Sequence, residues 1–357
     1  MFEAINNIII PHISGLWTLP WILIGLIVTI FLARFIGREK IDNIMKKIGL
    51  IILYFFVPVL IFRIFLNTPF QENEINFSIL VSIIIFLMYI IAYLYSKNIV
   101  KRQNITGKKK DLFIKTMLTN QGRSSAFIGS MMLAIDALRV YAAIFMALVG
   151  IALFAIIPFI LSHLHKKESK TEKKEKSNPL PWFLRLYPWY LIIFVIAGVL
   201  VQFFTAQKSV ELIGMEGDTL LKLYTAITIP AALYYVGAGI HPKDLKKAEL
   251  RNLIGINNEK EKSEHWGWVR KIFLLTVIIT PVIIVAIFGL LYVMKLLPAV
   301  WFAVILVNAF LPVTSTNMFL IPYGIDKKST AHVVTWTTLV CVPIVVALIA
   351  IFGIYFG

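Results

Sequence analysis

The sequence is poor in cysteine and in acidic side chains. Its 357 residues include one cysteine, Cys341, so an intrachain disulfide is excluded. It has 19 Asp and Glu against 35 Lys and Arg, and only 15% of its residues are charged. Residues 1–33 contain no Lys or Arg, so the basic segment that opens a cleavable signal peptide is missing. We therefore expect no cleavable signal.

The sequence also lacks the usual patterns of catalytic and nucleic-acid-binding proteins. It has no metal-spaced His/Cys/Asp cluster, no phosphate-binding loop and no nucleophile elbow, so we expect no enzyme, no cofactor and no metal site. The net charge of +16 is not arranged as a basic stripe interleaved with aromatic residues. It falls in the connections between apolar runs, so we expect no nucleic-acid partner.

Apolar residues are present in excess. They make up 59% of the chain, with a mean hydropathy of +0.82, whereas soluble domains have about 45–50%. A bilayer-spanning helix needs about 20 apolar residues. The chain contains ten such runs, near residues 16–36, 48–66, 77–96, 113–135, 140–161, 187–206, 219–240, 271–294, 298–321 and 329–354. This predicts an all-α protein of ten transmembrane helices in contact with membrane lipid.

The positive charges alternate from one connection to the next. Of the 35 Lys and Arg, 29 fall in connections assigned to one side of the membrane and four in those of the other side. Because cytoplasmic loops are enriched in Lys and Arg, the first side is predicted to be cytoplasmic. Both termini then lie outside, and the expected location is the cytoplasmic membrane of the cell.

A basic linker predicted at residues 162–186 divides the spans into five plus five. The first repeat is residues 1–161 and the second is residues 187–357. An odd number of spans per half makes the second half insert upside down, which is the inverted-repeat construction of many secondary transporters. Spans two and seven each carry a mid-span proline, Pro58 and Pro230, followed four residues later by an aromatic residue. We predict a hinge or kink at each.

Polar residues interrupt spans four and nine at corresponding positions. An offset of 190 residues aligns Ser125 with Ser315 and Asp136 with Asp326. Broken helices at matching places in two repeats indicate a binding site, whereas a plain packing kink with small residues is the alternative. The candidate site comprises Asn120, Gln121, Gly122, Arg123, Ser124, Ser125, Pro312, Thr314, Ser315, Thr316 and Asn317.

Two arginines lie within predicted spans. Arg123, in the interruption of span four, should face the protein interior and have a partner, because a buried guanidinium costs about 2.5 kcal/mol or more. That partner is either a set of backbone carbonyls at a broken helix end or an anionic substrate; snorkelling is the third alternative. Arg63, near the outer end of span two, is expected to snorkel. No Asp or Glu lies in the middle of a predicted span, which disfavours a carboxylate proton relay.

The chain resembles the auxin efflux carrier family, which includes the PIN-type auxin transporters and proteins named as malonate transporters. The resemblance covers nearly the whole chain. It rests on residues 56–62 (FVPVLIF), 120–122 (NQG), 229–239 (IPAALYYVGAG), 311–317 (LPVTSTN), 323–326 (YGID), 337–339 (TTL) and Pro343. One departure is plain: span four lacks the proline that many members carry at the crossover and has GRSS at residues 122–125 instead.

The resemblance implies that broken helices four and nine cross, with an organic anion bound beside the crossing. It implies that Asn120, Gln121 and Gly122 line the site from helix four, and that Pro312 and Asn317 line it from helix nine. It also implies a scaffold half and a transport half that move in an elevator-like manner. Auxin itself is not implied as the substrate.

Together these patterns predict a secondary active or facilitative carrier of a small organic anion, such as a carboxylate, that works by alternating access. Two alternatives stay open. One is a sodium-coupled symporter of the bile-acid type, and the other is a non-transporting membrane sensor or assembly subunit. The substrate, the coupling ion and the oligomeric state, a homodimer included, also stay open.

Overall fold

The protein is all-helical and carries the apolar helices of a membrane protein. The computed structural model describes residues 9–13, 20–68, 71–161, 182–240, 247–255 and 263–356, together with residues 2, 5 and 164. Across these residues, the one β feature is a single antiparallel bridge. Seven helices are long and apolar enough to cross a membrane.

Within the described ranges, a short helix at Ile10–Ile13 is followed by ten longer helices. They are α1 (Trp21–Ile36), α2 (Arg38–Leu66), α3 (Glu72–Arg102), α4 (Gly107–Thr119), α5 (Asp136–Leu161), α6 (Trp182–Thr205), α7 (Ser209–Ala238), α8 (His265–Val293), α9 (Ala299–Phe310) and α10 (Lys327–Phe356). Short 3₁₀ segments, Gly129–Ala134 and Ser315–Tyr323, follow α4 and α9. A short helix, Lys247–Ile254, precedes α8.

The helix bounds correct several predicted spans. α1 and α9 are apolar but shorter than a full crossing, and the span predicted at 113–135 is not one helix, because α4 stops at Thr119. α7 begins at Ser209, ten residues before its predicted start, so Asp218 lies inside a helix and is buried. Most of the linker predicted at 162–186 lies outside the described residues, and α6 already begins at Trp182.

Local sequence explains how α3 begins and ends. At its start, the Gln71 N–H donates to the Glu74 carboxylate at 2.9 Å, which completes a capping box. At its end, Lys101 and Arg102 place positive charge beside the carbonyl end of the helix dipole. Between these charged ends, apolar side chains point outward: Phe86, for example, is 67% exposed. Such a helix presents its apolar surface to lipid.

Three π-helical stretches lie inside the long helices, and each ends two residues before a proline. They are Ile52–Phe56, Ala152–Ile156 and Leu274–Ile279, and the prolines are Pro58, Pro158 and Pro281. Proline has no N–H to donate and its ring crowds the carbonyl four residues earlier. Widening the preceding turn to the i→i+5 register relieves this conflict without ending the helix.

The helices pack as two groups. In the first, α1 packs along α7, and α6 packs along the second half of α2. In the second, α3 packs against α4 and α5, and α8 packs against α9 and α10. The interface between the groups includes contacts of α2 and α6 with α5.

Glycines permit both close contacts of the first group. A β-carbon on Gly237 of α7 would lie 1.8 Å from the carbonyl oxygen of Ile22 in α1. A β-carbon on Gly198 of α6 would lie 2.9 Å from the carbonyl oxygen of Phe62 in α2. Small residues let membrane helices approach to backbone contact, so these positions favour glycine over any other residue.

Polar side chains concentrate in the second group, around the ends of α4 and α9. Six side chains there are at most 3% exposed: Thr116, Asn120, Gln121, Arg123, Asn308 and Asn317. Large apolar residues are exposed on the outer surface instead, as with Ile354 at 86%. Polar groups inside and apolar groups outside suit a protein that is solvated by lipid and works through a polar interior.

Candidate functional site

The first break in the second helix group follows α4. Regular helix stops at Thr119, residues 120–128 form turns and a short extended stretch, and 3₁₀ helix runs from Gly129 to Ala134. The Asn120 side chain donates from Nδ2 to the Thr116 carbonyl at 2.8 Å. The Asn120 N–H donates to the same carbonyl at 3.1 Å, so the backbone and the side chain of this residue together close the helix end.

The second break follows α9 and is shorter. Leu311 leaves the helical region, with φ −60° and ψ 141°, because Pro312 disfavours a helical conformation at the residue before it. Residues 311–314 are extended, and 3₁₀ helix resumes at Ser315. The Thr314 hydroxyl accepts from the Thr316 N–H at 3.3 Å and caps the new segment.

The two breaks cross in antiparallel contact. The Ser124 N–H donates to the Pro312 carbonyl at 2.9 Å, and the Thr314 N–H donates to the Gly122 carbonyl at 3.0 Å. Backbone groups freed by one broken helix are thus satisfied by the other, as a lipid-embedded protein requires.

The crossing joins residues that the sequence offset equates. Its bridge pairs Arg123 with Val313, which are 190 residues apart. The same offset relates Ser124 to Thr314 and Gly122 to Pro312. Applying it therefore turns each of the two backbone hydrogen bonds into the other. A contact whose two halves are interchangeable is what a two-fold axis between repeats produces.

Asn317 lies against Gly122 at the centre of the crossing. A β-carbon on Gly122 would lie 2.5 Å from Asn317 Oδ1 and 3.0 Å from Leu153 Cδ1. Glycine is therefore required for the amide to occupy this position. Asn317 is fully buried, and neither its Oδ1 nor its Nδ2 has a hydrogen-bond partner among the described residues. A buried amide in this state is suited to bind a ligand or water, because an unpaired buried polar group is costly.

The neighbouring amides are each half satisfied. Asn120 Nδ2 also donates to Thr330 of α10 at 3.1 Å, while its Oδ1 has no partner in the described part of the chain. Gln121 Oε1 accepts a long hydrogen bond of 3.5 Å from Thr280 of α8, and Gln121 Nε2 has no hydrogen-bond partner among the described residues. The two side chains thus tie the first break to α10 and α8 and keep one free polar atom each.

Arg123 is held by backbone carbonyls. Nη1 donates to Leu311 at 3.0 Å, at the carbonyl end of α9, and Nη2 donates to Thr276 at 2.9 Å, inside α8. The Thr276 carbonyl is available because of the local π register. In an α-helix it would accept from the Thr280 N–H, but that group donates to the Leu275 carbonyl instead. In a π-helix it would accept from residue 281, which is a proline and has no N–H. Of the alternatives for Arg123, the carbonyl partners are therefore the ones observed.

The charge of Arg123 has no counter-ion nearby. Within the described ranges, no carboxylate lies within ion-pair distance of its guanidinium, and its Nε has no partner. Carbonyl dipoles satisfy two of its nitrogens but leave the unit charge in place. The crossing is therefore electropositive, which favours an anion.

The remaining candidate residues lie on two sides of the crossing. Arg123, Thr314 and Thr316 line a cavity of about 20 Å³ that faces α2, α5 and α6. Ser124 and Ser315 line a second of about 20 Å³ that faces α7 and α10. Ser125 lines neither of these two cavities. Its hydroxyl donates to Asn308 Oδ1 at 3.0 Å, which links the first break to the end of α9.

A larger cavity was not predicted from the sequence. It measures about 290 Å³ and lies where the end of α2 faces the middle of α7 and the 3₁₀ segment after α4 runs into α5. Arg63, Arg139 and Lys222 line it. Arg63 was expected to snorkel, but its Nη1 donates to Thr225 of α7 at 2.8 Å, which holds the guanidinium against a neighbouring helix. The sequence signal for this region is the spacing of Asp218 and Lys222, four residues apart, which predicts an ion pair on one helix. In the structure Asp218 is buried and pairs with Lys222 at 2.7 Å.

The predicted kinks coincide with irregular helix geometry. Pro58 follows the π stretch Ile52–Phe56 of α2. Pro230 lies just after Ile227, where α7 is interrupted between Ala226 and Thr228. Each proline removes a donor from its helix, which accounts for both irregularities. Their role as hinges stays a prediction.

The chemistry of the site is that of recognition. Buried amide, hydroxyl and guanidinium groups converge at the crossing, and they are suited to hold a small polar ligand. Among the residues that the structure describes, no group of three or more His, Cys, Asp or Glu could hold a metal ion. In comparisons with known proteins, no family model matches the chain, and no curated protein matches it.

Proposed function

We propose that this protein is a secondary active or facilitative transporter of a small organic anion, carried across the cytoplasmic membrane by alternating access. The observation that carries the proposal is the crossing: two broken helices exchange backbone hydrogen bonds beside a buried amide, Asn317, whose polar atoms are unpaired. Broken helices near the middle of a membrane protein are how secondary carriers build binding sites.

The proposed architecture is ten spans in two inverted repeats of five, as in the auxin efflux carrier family that the sequence resembles. Three symmetric relations support it. The first is the crossing itself. The second is that the packing of α1 on α7 corresponds to the packing of α6 on α2. The third is that the contact of α3 with α5 corresponds to the contact of α8 with α10. The basic connections would lie in the cytoplasm and both termini outside.

The substrate class follows from the donors that the crossing offers. Nδ2 of Asn317, Nε2 of Gln121 and Nε of Arg123 are buried donors without partners in the described chain. Carboxylate oxygens accept from such donors, and the charge of Arg123 favours the ionised form of a ligand. We therefore propose a carboxylate bound beside the crossing.

The large cavity suggests the route from the outer side. It lies at the end of the bundle that the charge pattern places outside, and it separates α2 and α7 from the segment that follows α4. Its basic lining would attract an anion before binding. Movement of α3–α5 and α8–α10 against α1, α2, α6 and α7, in an elevator-like manner, would transfer the site from one side to the other.

The test compares Asn317→Ala with Asn308→Ala in proteoliposomes loaded for uptake of radiolabelled carboxylates. Asn308 is the matched control, because its amide is satisfied by Val304 and Ser125. We expect Asn317→Ala to abolish uptake while the thermal midpoint stays near that of the wild type. Asn308→Ala should lower the midpoint while each folded molecule keeps its uptake.

Unchanged uptake and affinity in Asn317→Ala would refute the proposed site. If neither the wild type nor any variant moves a carboxylate, the proposed substrate class is wrong.

Sodium coupling is a second candidate, and a specific observation favours it. Three buried oxygens, Oγ1 of Thr119, Oδ1 of Asn120 and Oδ1 of Asn317, have no partner among the residues described. Hydroxyl and amide oxygens at broken helices bind Na⁺ in other carriers. Replacing external sodium by choline during the same uptake assay separates the candidates: a symporter loses uptake, and an uncoupled carrier keeps it.

A further inference from the structure

A basic groove lies at the opposite end of the bundle from the large cavity. It is open, has a volume of about 770 Å³, and forms where the connection between α3 and α4 faces the first turns of α8. Lys109, Arg270 and Lys271 line it, and none of its described lining residues is acidic. The groove is therefore an electropositive surface feature.

Neutral donors complete the lining. Asn104 and Thr106 are in the connection, and Gln103 accepts a hydrogen bond from the Lys271 ammonium, which leaves its NH₂ free to donate. Thr106 is the N-cap residue of α4 and lines the groove, and its side chain makes no capping hydrogen bond to the first N–H groups of the helix. Ammonium, guanidinium, amide and helix N–H donors together are suited to bind phosphate oxygens.

The groove also lies at the depth of lipid headgroups. The membrane-spanning part of α3 ends just before it, with Lys101 and Arg102 in the last turn. Trp268 forms part of its wall, and tryptophans mark the membrane–water interface. Leu94, on the same helix α3 eight residues before Arg102, is 59% exposed. A ligand with a phosphate head and acyl chains would meet both surfaces.

We propose that this groove binds the phosphate headgroup of an anionic phospholipid of the inner leaflet. That leaflet carries the negative lipids, and each nearby Lys or Arg strengthens the attraction. The bound lipid would steady the start of α4, whose other end forms the crossing. The Lys271 ammonium, 5.7 Å from the centre of the Phe113 ring, already joins α8 to α4 here.

Thermal unfolding of the purified protein in detergent, with added phosphatidylglycerol or phosphatidylcholine, tests the proposal. We expect phosphatidylglycerol to raise the midpoint more than phosphatidylcholine, because a ligand of the folded state stabilises it. In the variant K109Q/R270Q/K271Q, the affinity for phosphatidylglycerol should fall about a hundredfold, since each basic residue contributes about fivefold. The control variant K40Q/K46Q/K47Q removes equal charge from α2 on the same side and should keep the preference.

Each other outcome counts against the proposal. Equal stabilisation by the two lipids, or equal loss of the preference in both variants, would refute the site. Inorganic phosphate that stabilises as much as phosphatidylglycerol would show that a free anion, not a lipid, is the ligand. If the triple variant does not fold, the single change Lys109→Gln and a salt titration of the wild type replace it. A preference for phosphatidylglycerol that persists unchanged at high salt would refute the electrostatic basis of binding.

Discussion

The breaks after α4 and α9 make the same backbone contact from different sequences. The second is interrupted by Pro312 and takes only residues 311–314 before 3₁₀ helix resumes. The first has no proline and takes residues 120–128, with Gly122 and Arg123 at the contact. A proline ends a helix by itself, whereas the first break depends on what surrounds it.

This difference places the charge on one side only. Arg123 belongs to the first break but satisfies the Leu311 carbonyl of the second, and the corresponding residue of the second break is Val313. The backbone is thus symmetric while the electrostatics are not. The unit charge at the crossing therefore lies on the side of the first break only.

Removing the arginine should have the largest effect on stability. In Arg123→Met, the carbonyls of Leu311 and Thr276 lose their donors, and each buried unsatisfied carbonyl costs about 1–3 kcal/mol. We expect a loss of about 2–6 kcal/mol in the free energy of unfolding, measured by denaturant titration in mild detergent. Arg139→Met is the control, because this arginine is 44% exposed, pairs with a surface aspartate and donates to one carbonyl, that of Leu133, where Arg123 donates to two. Similar losses in both variants would contradict the role of the carbonyls.

Gly122→Ala should have a smaller effect on stability and a large one on the site. The new methyl group would overlap Asn317 Oδ1 and press on Leu153, and overpacking of this kind costs about 1–3 kcal/mol. For the proposed anionic substrate we expect weaker binding as well, measured as a higher half-saturation concentration for uptake. Gly289→Ala is the control, since the nearest atoms, of Phe302, are 3.9 Å away. Normal uptake in Gly122→Ala would mean that the amide of Asn317 can move without consequence.

The smallest effect should come from the aspartates that follow the two breaks. Asp326 accepts hydrogen bonds from the N–H groups of Lys328 and Ser329, which caps α10, whereas Asp136 is 85% exposed and pairs with Arg139. We expect Asp326→Ala to cost about 0.5–2 kcal/mol and Asp136→Ala less. Equal losses of stability in the two variants would contradict the stronger capping role of Asp326.

The pH dependence sharpens this comparison. Burial opposes the charge of Asp326, but His265, whose Nδ1 lies 3.8 Å away, and hydrogen bonds from Ser329 and Lys328 outweigh it and lower the pKa of this carboxyl to about 2. Because the folded pKa is depressed, the stabilisation is complete above the unfolded value of about 4 and is lost as the pH falls toward 2. The difference in thermal midpoint between wild type and Asp326→Ala should therefore shrink over that range.

Sequence reasoning located the breaks because polar residues inside apolar spans are conspicuous. The offset that aligns Ser125 with Ser315 also relates Arg123 to Val313, which are the two residues of the bridge. What the sequence did not reveal depends on distant backbone geometry. The Thr276 carbonyl that holds Arg123 is available through a π stretch in α8, and helix periodicity does not distinguish a π turn from an α turn.

The crossing also has a consequence for biosynthesis. In the finished protein, Gly122 and Ser124 have their backbone partners at Thr314 and Pro312. At about 5–20 residues per second, the ribosome needs about 10–40 s to reach the second break after it has made the first. During that interval the first break lacks the backbone partners that it has in the finished protein. The backbone groups of Gly122 and Ser124 must then be satisfied by other partners until the second break is made.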